Sequence, residues 1–214
     1  MLDVNYSPLW LSLKTATIAT VIVFILGMFL ARLLARNSFF GKSVIEAIIL
    51  LPLVLPPTVV GFGLLYLFGK NGFLGRLLLD LFEFQVVFSW YAVIIAAVVV
   101  SFPLMYQSAS AAFKQFDENI ENAAYTMGAS KWKVFRTISF PLAWPGLLAG
   151  LVLSFARALG EFGATLMLAG YIPNVTDTIP LAIYFAVESG NMEMAKFWVL
   201  IIVSLGFTAI LWLN

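Results

Sequence analysis

Long, mainly apolar runs recur along the chain near residues 11–33, 45–68, 86–112, 145–170 and 196–213. Each is long enough as a helix to cross about 30 Å of hydrocarbon, so five transmembrane helices are expected. One intervening segment, 113–144, differs from the others because it alternates apolar and charged residues at helical spacing. Ile120, Ala123, Ala124 and Met127 fall at i, i+3, i+4 and i+7, backed by Glu121, Asn122 and Tyr125. That pattern predicts a short amphipathic helix of about three turns, one face packed and the other offered.

The ends of this helix can be read residue by residue. Asp117 is an N-cap candidate, Glu118 and Glu121 suit the positive end of the helix dipole, and Gly128 is a C-terminal stop. Ser130 is expected to cap a second short helix in which Trp132, Phe135 and Ile138 share a side, with Lys131, Lys133 and Arg136 elsewhere. Pro141 and Pro145 are expected to end it before the fourth span. Two uses fit such a segment: a helix lying among lipid headgroups, or a docking helix for a soluble partner.

Composition agrees with a membrane protein. Of 214 residues, 62% are hydrophobic and 11% charged, with a mean hydropathy of +1.00, too apolar for an ordinary water-facing surface. There is no Cys and no His, which excludes disulfides and thiolate metal sites and removes the commonest general base. No metal site and no catalytic residue is expected, and nothing points to nucleic acid. The first apolar run is too long for a signal peptide, carries Asp3 ahead of Lys14, and is followed by Arg32 and Arg36.

Basic residues sort the loops. Arg32, Arg36 and Lys42 follow the first span, and Lys114, Lys131, Lys133 and Arg136 lie between the third and fourth; both segments are expected on the cytoplasmic side. Lys70 and Arg76 are balanced by Asp80 and Glu83, and 171–195 holds Asp177, Glu188 and Glu193, so those segments are expected outside. The N-terminus is then outside and the C-terminus cytoplasmic.

Within the spans, Pro52, Pro56, Pro57, Gly61 and Gly63 require a kinked or interrupted second helix. It is either a packed kink or a pore-lining bend that moves. Gln107, Ser108 and Ser110 in the third span could pair across helices or offer neutral donors to a passing anion. Arg157 and Glu161, four apart, should face protein or water as a pair that locks the helix or gates a path. Gly146, Gly150, Ser154 and Ala158 form a small-residue stripe suited to close helix packing. The apolar PLAIYFAVES, 180–189, is too short to cross, and is expected to dip into the outer membrane face or cap an outer mouth. Gly41, Lys42 and Ser43 imitate the end of a phosphate-binding loop, but Arg36 occupies the place of its first glycine. The sequons at Asn5 and Asn174 carry no weight.

The 121–141 segment resembles the EAA loop of binding-protein-dependent ABC importer permeases. Ala123 and Ala124 match its alanines, Gly128 its glycine, Ile138 its hydrophobic position and Pro141 its proline, while Asn122 stands in place of the usual Glu, next to Glu121. Across most of 10–213, the runs LLPLVLPPTVVGFGLL, PGLLAGLVLSFARALGEFGATLMLAG and TDTIPLAIY resemble the molybdate and sulfate branch of these permeases. The five-span layout is more similar to its molybdate members.

The resemblance implies an all-α, polytopic fold of the type I ABC importer permease kind, with a cytoplasmic coupling helix. It implies one transmembrane permease domain over 1–214 in a bacterial inner membrane. Its expected partners are two copies of an ABC ATPase subunit, a second permease copy in a homodimer, an extracytoplasmic molybdate-binding protein and membrane lipid. ATP and Mg belong to the ATPase partner, and this chain needs no cofactor. Glu121, Asn122, Ala123, Ala124, Gly128, Ala129, Ile138 and Pro141 are implied as the coupling loop; Pro56, Pro57, Gln107, Ser108 and Ser110 are candidate pore residues. The alternatives are a sulfate or thiosulfate permease, an ion-coupled secondary transporter, for which intramembrane ionisable groups are too few, and a scaffold protein.

Overall fold

The computed structural model describes residues 5–37 and 39–211. Asp3, weighed above against a signal peptide, and residues 212–214, which include the end of the fifth expected span, lie outside the described residues. The order is α1 (Ser7–Arg36), α2 (Lys42–Val54), α3 (Pro57–Phe68), α4 (Phe73–Phe82), α5 (Trp90–Gln115), α6 (Glu118–Thr126) and α7 (Lys131–Val134). A π turn (Phe135–Ser139) follows, then α8 (Phe140–Leu159), α9 (Gly163–Ala169), α10 (Ile179–Glu188) and α11 (Met192–Leu211). The fold is all-α, with no strand among the described residues.

α5 is the centre of the bundle, packed between α1 and α8. Small residues let the backbones approach. A methyl added at Gly27 of α1 would meet Met105 Cγ at 2.9 Å; one at Gly146 of α8 would meet Ala112 Cβ at 2.7 Å, and one at Gly150 would meet Ser108 Cβ at 2.7 Å. The stripe 146–150–154–158 is therefore the seam between α8 and α5, as its spacing predicts. Trp90 Nε1 donates to Thr15 Oγ1 near the start of α1, at 3.0 Å. The other ends of α1 and α5 both reach α6, so the two helices run parallel.

The second span is broken. α2 and α3 meet at 116° across Leu55–Pro56. Pro56 and Pro57 donate no backbone hydrogen bond, and Pro57 starts α3 as a first-turn proline. The pair still crosses. Tyr106 Oη donates to Glu46 Oε1 at 3.1 Å, tying α2 to the half of α5 nearer α6, whereas α4 hands the chain to the opposite end of α5. Four single helices plus this bent pair make five crossings. α4, unforeseen in the sequence reading, is amphipathic, with Phe73, Leu77 and Leu81 exposed along it.

The fourth span differs from expectation at both ends. Helix runs without a stop from Lys131 to Leu159, so Pro141 and Pro145 do not terminate it. At Pro141 the widened turn explains why: Phe140 N–H reaches back to the Phe135 carbonyl, an i→i+5 bond that loosens the ladder where Pro141 would clash with the carbonyl four residues earlier; Pro145 lies inside α8. The expected 145–170 helix instead ends at Leu159. Gly160 turns the chain, and α9 continues separately along α3. α10 and α11 form a hairpin at the end where α1 begins, held there by Ile179 N–H donating to Ser12 Oγ at 2.8 Å.

Candidate functional site

α6 is delimited by local chemistry. Asp117 Oδ1 accepts from the Asn119 amide at 2.9 Å, the N-cap expected of it. At the other end Gly128 adopts φ +82°. Its amide donates to the Tyr125 carbonyl at 2.9 Å, and that of Ala129 to the Ala124 carbonyl at 3.1 Å; this pair of bonds is a Schellman stop. Ser130 Oγ then accepts from Lys133 N–H at 3.3 Å and starts α7.

The packing of α6 runs against the amphipathic reading. Its one buried residue is Glu121, 3% exposed, whereas Ile120 and Met127 of the apolar stripe are 46% and 86% exposed and Tyr125, on the Glu121 side, is 36% exposed. Glu121 turns inward because cations meet it there. Arg32 of α1 donates to both its oxygens, at 2.9 and 3.0 Å. Arg36 Nη2 stands 2.8 Å from Oε1 as an electrostatic contact, and its Nη1 lies 3.0 Å from Glu118. Ser139 Oγ, in the π turn, donates to Oε1 at 2.5 Å. The two guanidinium groups also lie over the Phe113 and Phe116 rings, at 5.5 and 5.3 Å. Burial pushes the Glu121 carboxyl up, but the hydrogen bonds from Arg32 and Ser139 and the fields of Arg32 and Arg36 outweigh it and hold it below the usual carboxylate range.

One carboxylate thus ties α6 to the end of α1 and to the turn that opens the fourth span, leaving an apolar face free. Asn122 and Ala123 are exposed, Ala124, Ala129 and Ile138 half-buried, and Gly128 and Pro141 exposed. The loop residues singled out in the sequence lie on α6, at the stop after it and around the turn into the fourth span, which Ser139 joins to Glu121. In the sequence reading Arg32 and Arg36 serve as a stop after the first span and as loop charges, not as partners of Glu121, and Ser139 is not used; the signal for the pairing is two arginines one turn apart at the end of an apolar helix.

The membrane-embedded candidates fall into two groups. Where the two broken spans meet, a methyl on Gly163 would lie 3.0 Å from Pro57 Cβ, and one on Gly61 would lie 2.7 Å from Ala164 Cα. Arg157 Nη1 pairs with Glu161 Oε2 at 2.7 Å, and Glu161 Oε1 accepts from Ala164 N–H at 2.8 Å. The pair therefore bridges the Gly160 break rather than lying on one continuous helix, and Glu161 fixes the start of α9. Pro56 and Pro57 are exposed at the bend. Gln107 is exposed on α5, Ser108 packs against Gly150, and Ser110 is buried, so the three do not share one surface. Among the described residues no group of three or more acidic, Cys or His side chains is arranged to hold a metal ion.

The family model described as "Binding-protein-dependent transport system inner membrane component" matches residues 12–213. The chain is 53% identical over 202 residues to a protein of Bacillus subtilis named putative molybdenum transport system permease protein YvgM, covering 94% of this chain and 89% of that one. It is 46% identical to the molybdenum transport system permease protein ModB of Haemophilus influenzae, covering 87% and 82%. In fold it is similar to the inward-facing MetNI methionine ABC transporter, with a TM-score of 0.71 at 15% identity over 96% of this chain and 91% of that one. It is also similar to a bacterial alginate ABC transporter solved with its alginate-bound periplasmic protein, with a TM-score of 0.72 at 17% identity over 97% and 76%.

Proposed function

The chain belongs to the family of binding-protein-dependent transport system inner membrane components, and from that premise we propose that it is the membrane-spanning subunit of an ATP-driven importer carrying molybdate, or its near-twin tungstate, into the cell. The anion is supported by relatives at 53% and 46% identity that are named for molybdenum. A permease named as probable for sulfate, from Chlorella vulgaris, is 35% identical, which keeps sulfate as the second reading. Two copies of the chain surround a path. They work with two ATPase subunits that supply ATP and Mg²⁺ chemistry and with an external oxyanion-binding protein. The N-terminus faces outward and α6 faces the cytoplasm.

The observation that carries this reading is the packing of α6. A helix resting on lipid would turn its apolar stripe toward the membrane, the side on which the bundle lies; this one turns Glu121 to the ends of α1 and of the fourth span and leaves Ile120 and Met127 exposed, beside an exposed Trp132. That is the arrangement of a helix seated in a groove of a soluble protein. Movement of the ATPase subunits displaces α6. The Glu121 pairs pass that displacement to α1, and Ser139 passes it to the fourth span, whose break at Gly160 adjoins the bend of the second. Arg157 is neutralised by Glu161, so it clasps the break rather than drawing anions through it.

The test is ATPase activity of the chain reconstituted in lipid with its ATPase and binding protein. Stimulation by molybdate or tungstate and not by sulfate is expected. Stimulation by sulfate alone moves the chain to the sulfate reading, and failure of any ATPase to associate removes the importer reading. Coupling through α6 is tested separately with Gly128→Asp, which should abolish substrate-stimulated hydrolysis.

A further inference from the structure

At the end of the bundle opposite α6, the turn 172–178 is tightly satisfied by its own bonds. Thr176 Oγ1 donates to the Gly170 carbonyl at 3.0 Å and accepts from the Ile172 amide at 2.8 Å. The turn therefore holds Asp177 in place, and that residue is only 3% exposed. Its Oδ1 accepts from Ser7 Oγ at 3.0 Å. Among the described residues no Lys or Arg lies within ion-pair distance of it; the four ion pairs involve other acids. The other Asp177 oxygen takes no hydrogen bond from a described residue and is not among the side-chain atoms sealed from solvent, so it opens on the space beside it, where a largely buried carboxylate favours a cation.

Asp177 lines a cavity of about 470 Å³ together with Asn5, Tyr171, Phe185, Asn191 and Trp198. Tyr171 and Phe185 stack with centroids 4.2 Å apart, giving one wall an aromatic surface. An alkyl stem can lie along such rings while its charged end reaches the carboxylate. One carboxylate oxygen is already committed to Ser7, which favours the single-point contact of an ammonium over the two-point fork of a guanidinium. The walls come from the start of α1, the 172–178 turn and the α10–α11 hairpin, so the cavity belongs to the outward end in the importer reading.

We propose that this cavity is a docking socket for a lysine side chain of the external oxyanion-binding protein. The inference rests on the importer reading and names a contact within it. Charge complementarity fixes the occupant: an oxyanion would be repelled by Asp177, and an apolar side chain would leave the carboxylate unbalanced.

The permease–ATPase complex in lipid nanodiscs is titrated with the molybdate-binding protein at low and high salt, using the unaltered chain and Asp177→Asn. The Asn variant should bind about tenfold more weakly at low salt and lose much of the salt dependence. Carbodiimide should join Asp177 of the unaltered chain to a lysine of the docked protein, as mapped by mass spectrometry. Unchanged affinity and salt dependence in the variant, with no cross-link at Asp177, overturn the socket while leaving the importer reading intact. If the variant does not assemble with the ATPase, the cross-link on the unaltered complex decides alone. Absence of any binding by the unaltered complex removes the importer reading and the socket with it.

Discussion

Replacing Glu121 by Gln tests whether one side chain holds α6 against the bundle. The variant keeps the shape and one acceptor oxygen but loses the charge that faces Arg32 and Arg36. Removing one partner of a well-buried ion pair costs about 3–5 kcal/mol. Here the two arginine side chains are each 19% exposed, so water recovers part of that, and the amide oxygen can keep Ser139 or one Arg32 bond. A loss of about 2 kcal/mol remains, or about thirtyfold in the equilibrium between docked and detached α6. Hydrogen exchange of the purified chain in nanodiscs reads this directly, because amides within residues 118–126 should exchange about thirtyfold faster while those of α5 keep their protection. Unchanged protection of α6 would show that the helix is held by something other than this carboxylate. A double-mutant cycle of Glu121→Ala with Arg32→Ala should return a coupling above about 1 kcal/mol, and additive effects would equally refute the pairing.

The same contact predicts a pH response. Glu121 sits below its ordinary pKa of 4.5 in the folded chain. Its contribution is therefore complete above that ordinary value and is lost as pH falls through the lower folded value. Exchange protection of α6, corrected for intrinsic rates, should stay level from pH 8 to about pH 5 and fall only in stronger acid; a loss between pH 6 and 7 would contradict the clamp. Gly61→Ala forces a methyl to 2.7 Å from the Ala164 backbone, whereas Gly63→Ala meets nothing within 4 Å. The first should cost about 1–3 kcal/mol and lower the melting temperature, and the second should be neutral or stabilising; equal melting temperatures would sink the close contact of α3 with α9. Arg157→Met leaves Glu161 buried without its cation and should reduce folded yield severely. Adding Glu161→Gln should restore yield and uptake together if the pair is a clasp, and yield without uptake would assign Arg157 a part in the path.

What the sequence made legible and what it hid have separable physical causes. The all-helical class, the break in the second span, the caps at Asp117 and Ser130, the stop at Gly128 and the seam through Gly146 and Gly150 depend on local periodicity or on a single backbone conformation, and a linear reading captures both. The continuity of helix through Pro141 was not legible, because proline argues for termination unless a wide turn relieves the clash, and nothing in residues 135–139 announces a π turn. Nor was the orientation of α6. Periodicity divides a helix into two faces but leaves open which face packs, and the usual rule buries the apolar one. Here that rule fails because Arg32 and Arg36 wait 89 and 85 positions earlier in the chain, at the end of α1. Two cations with aromatic backing make the interior side the better environment for an acid. The apolar residues, displaced outward, become the surface on offer. A clamp that spends its charge inward and keeps its apolar face for a partner has a testable asymmetry: substitutions at Ile120 or Met127 should weaken ATPase association without loosening α6, and substitutions at Glu121 should loosen α6 first. If Met127→Ala reduced α6 protection as much as Glu121→Gln does, the outward face would be part of the packing and the division of labour between the two faces would fail.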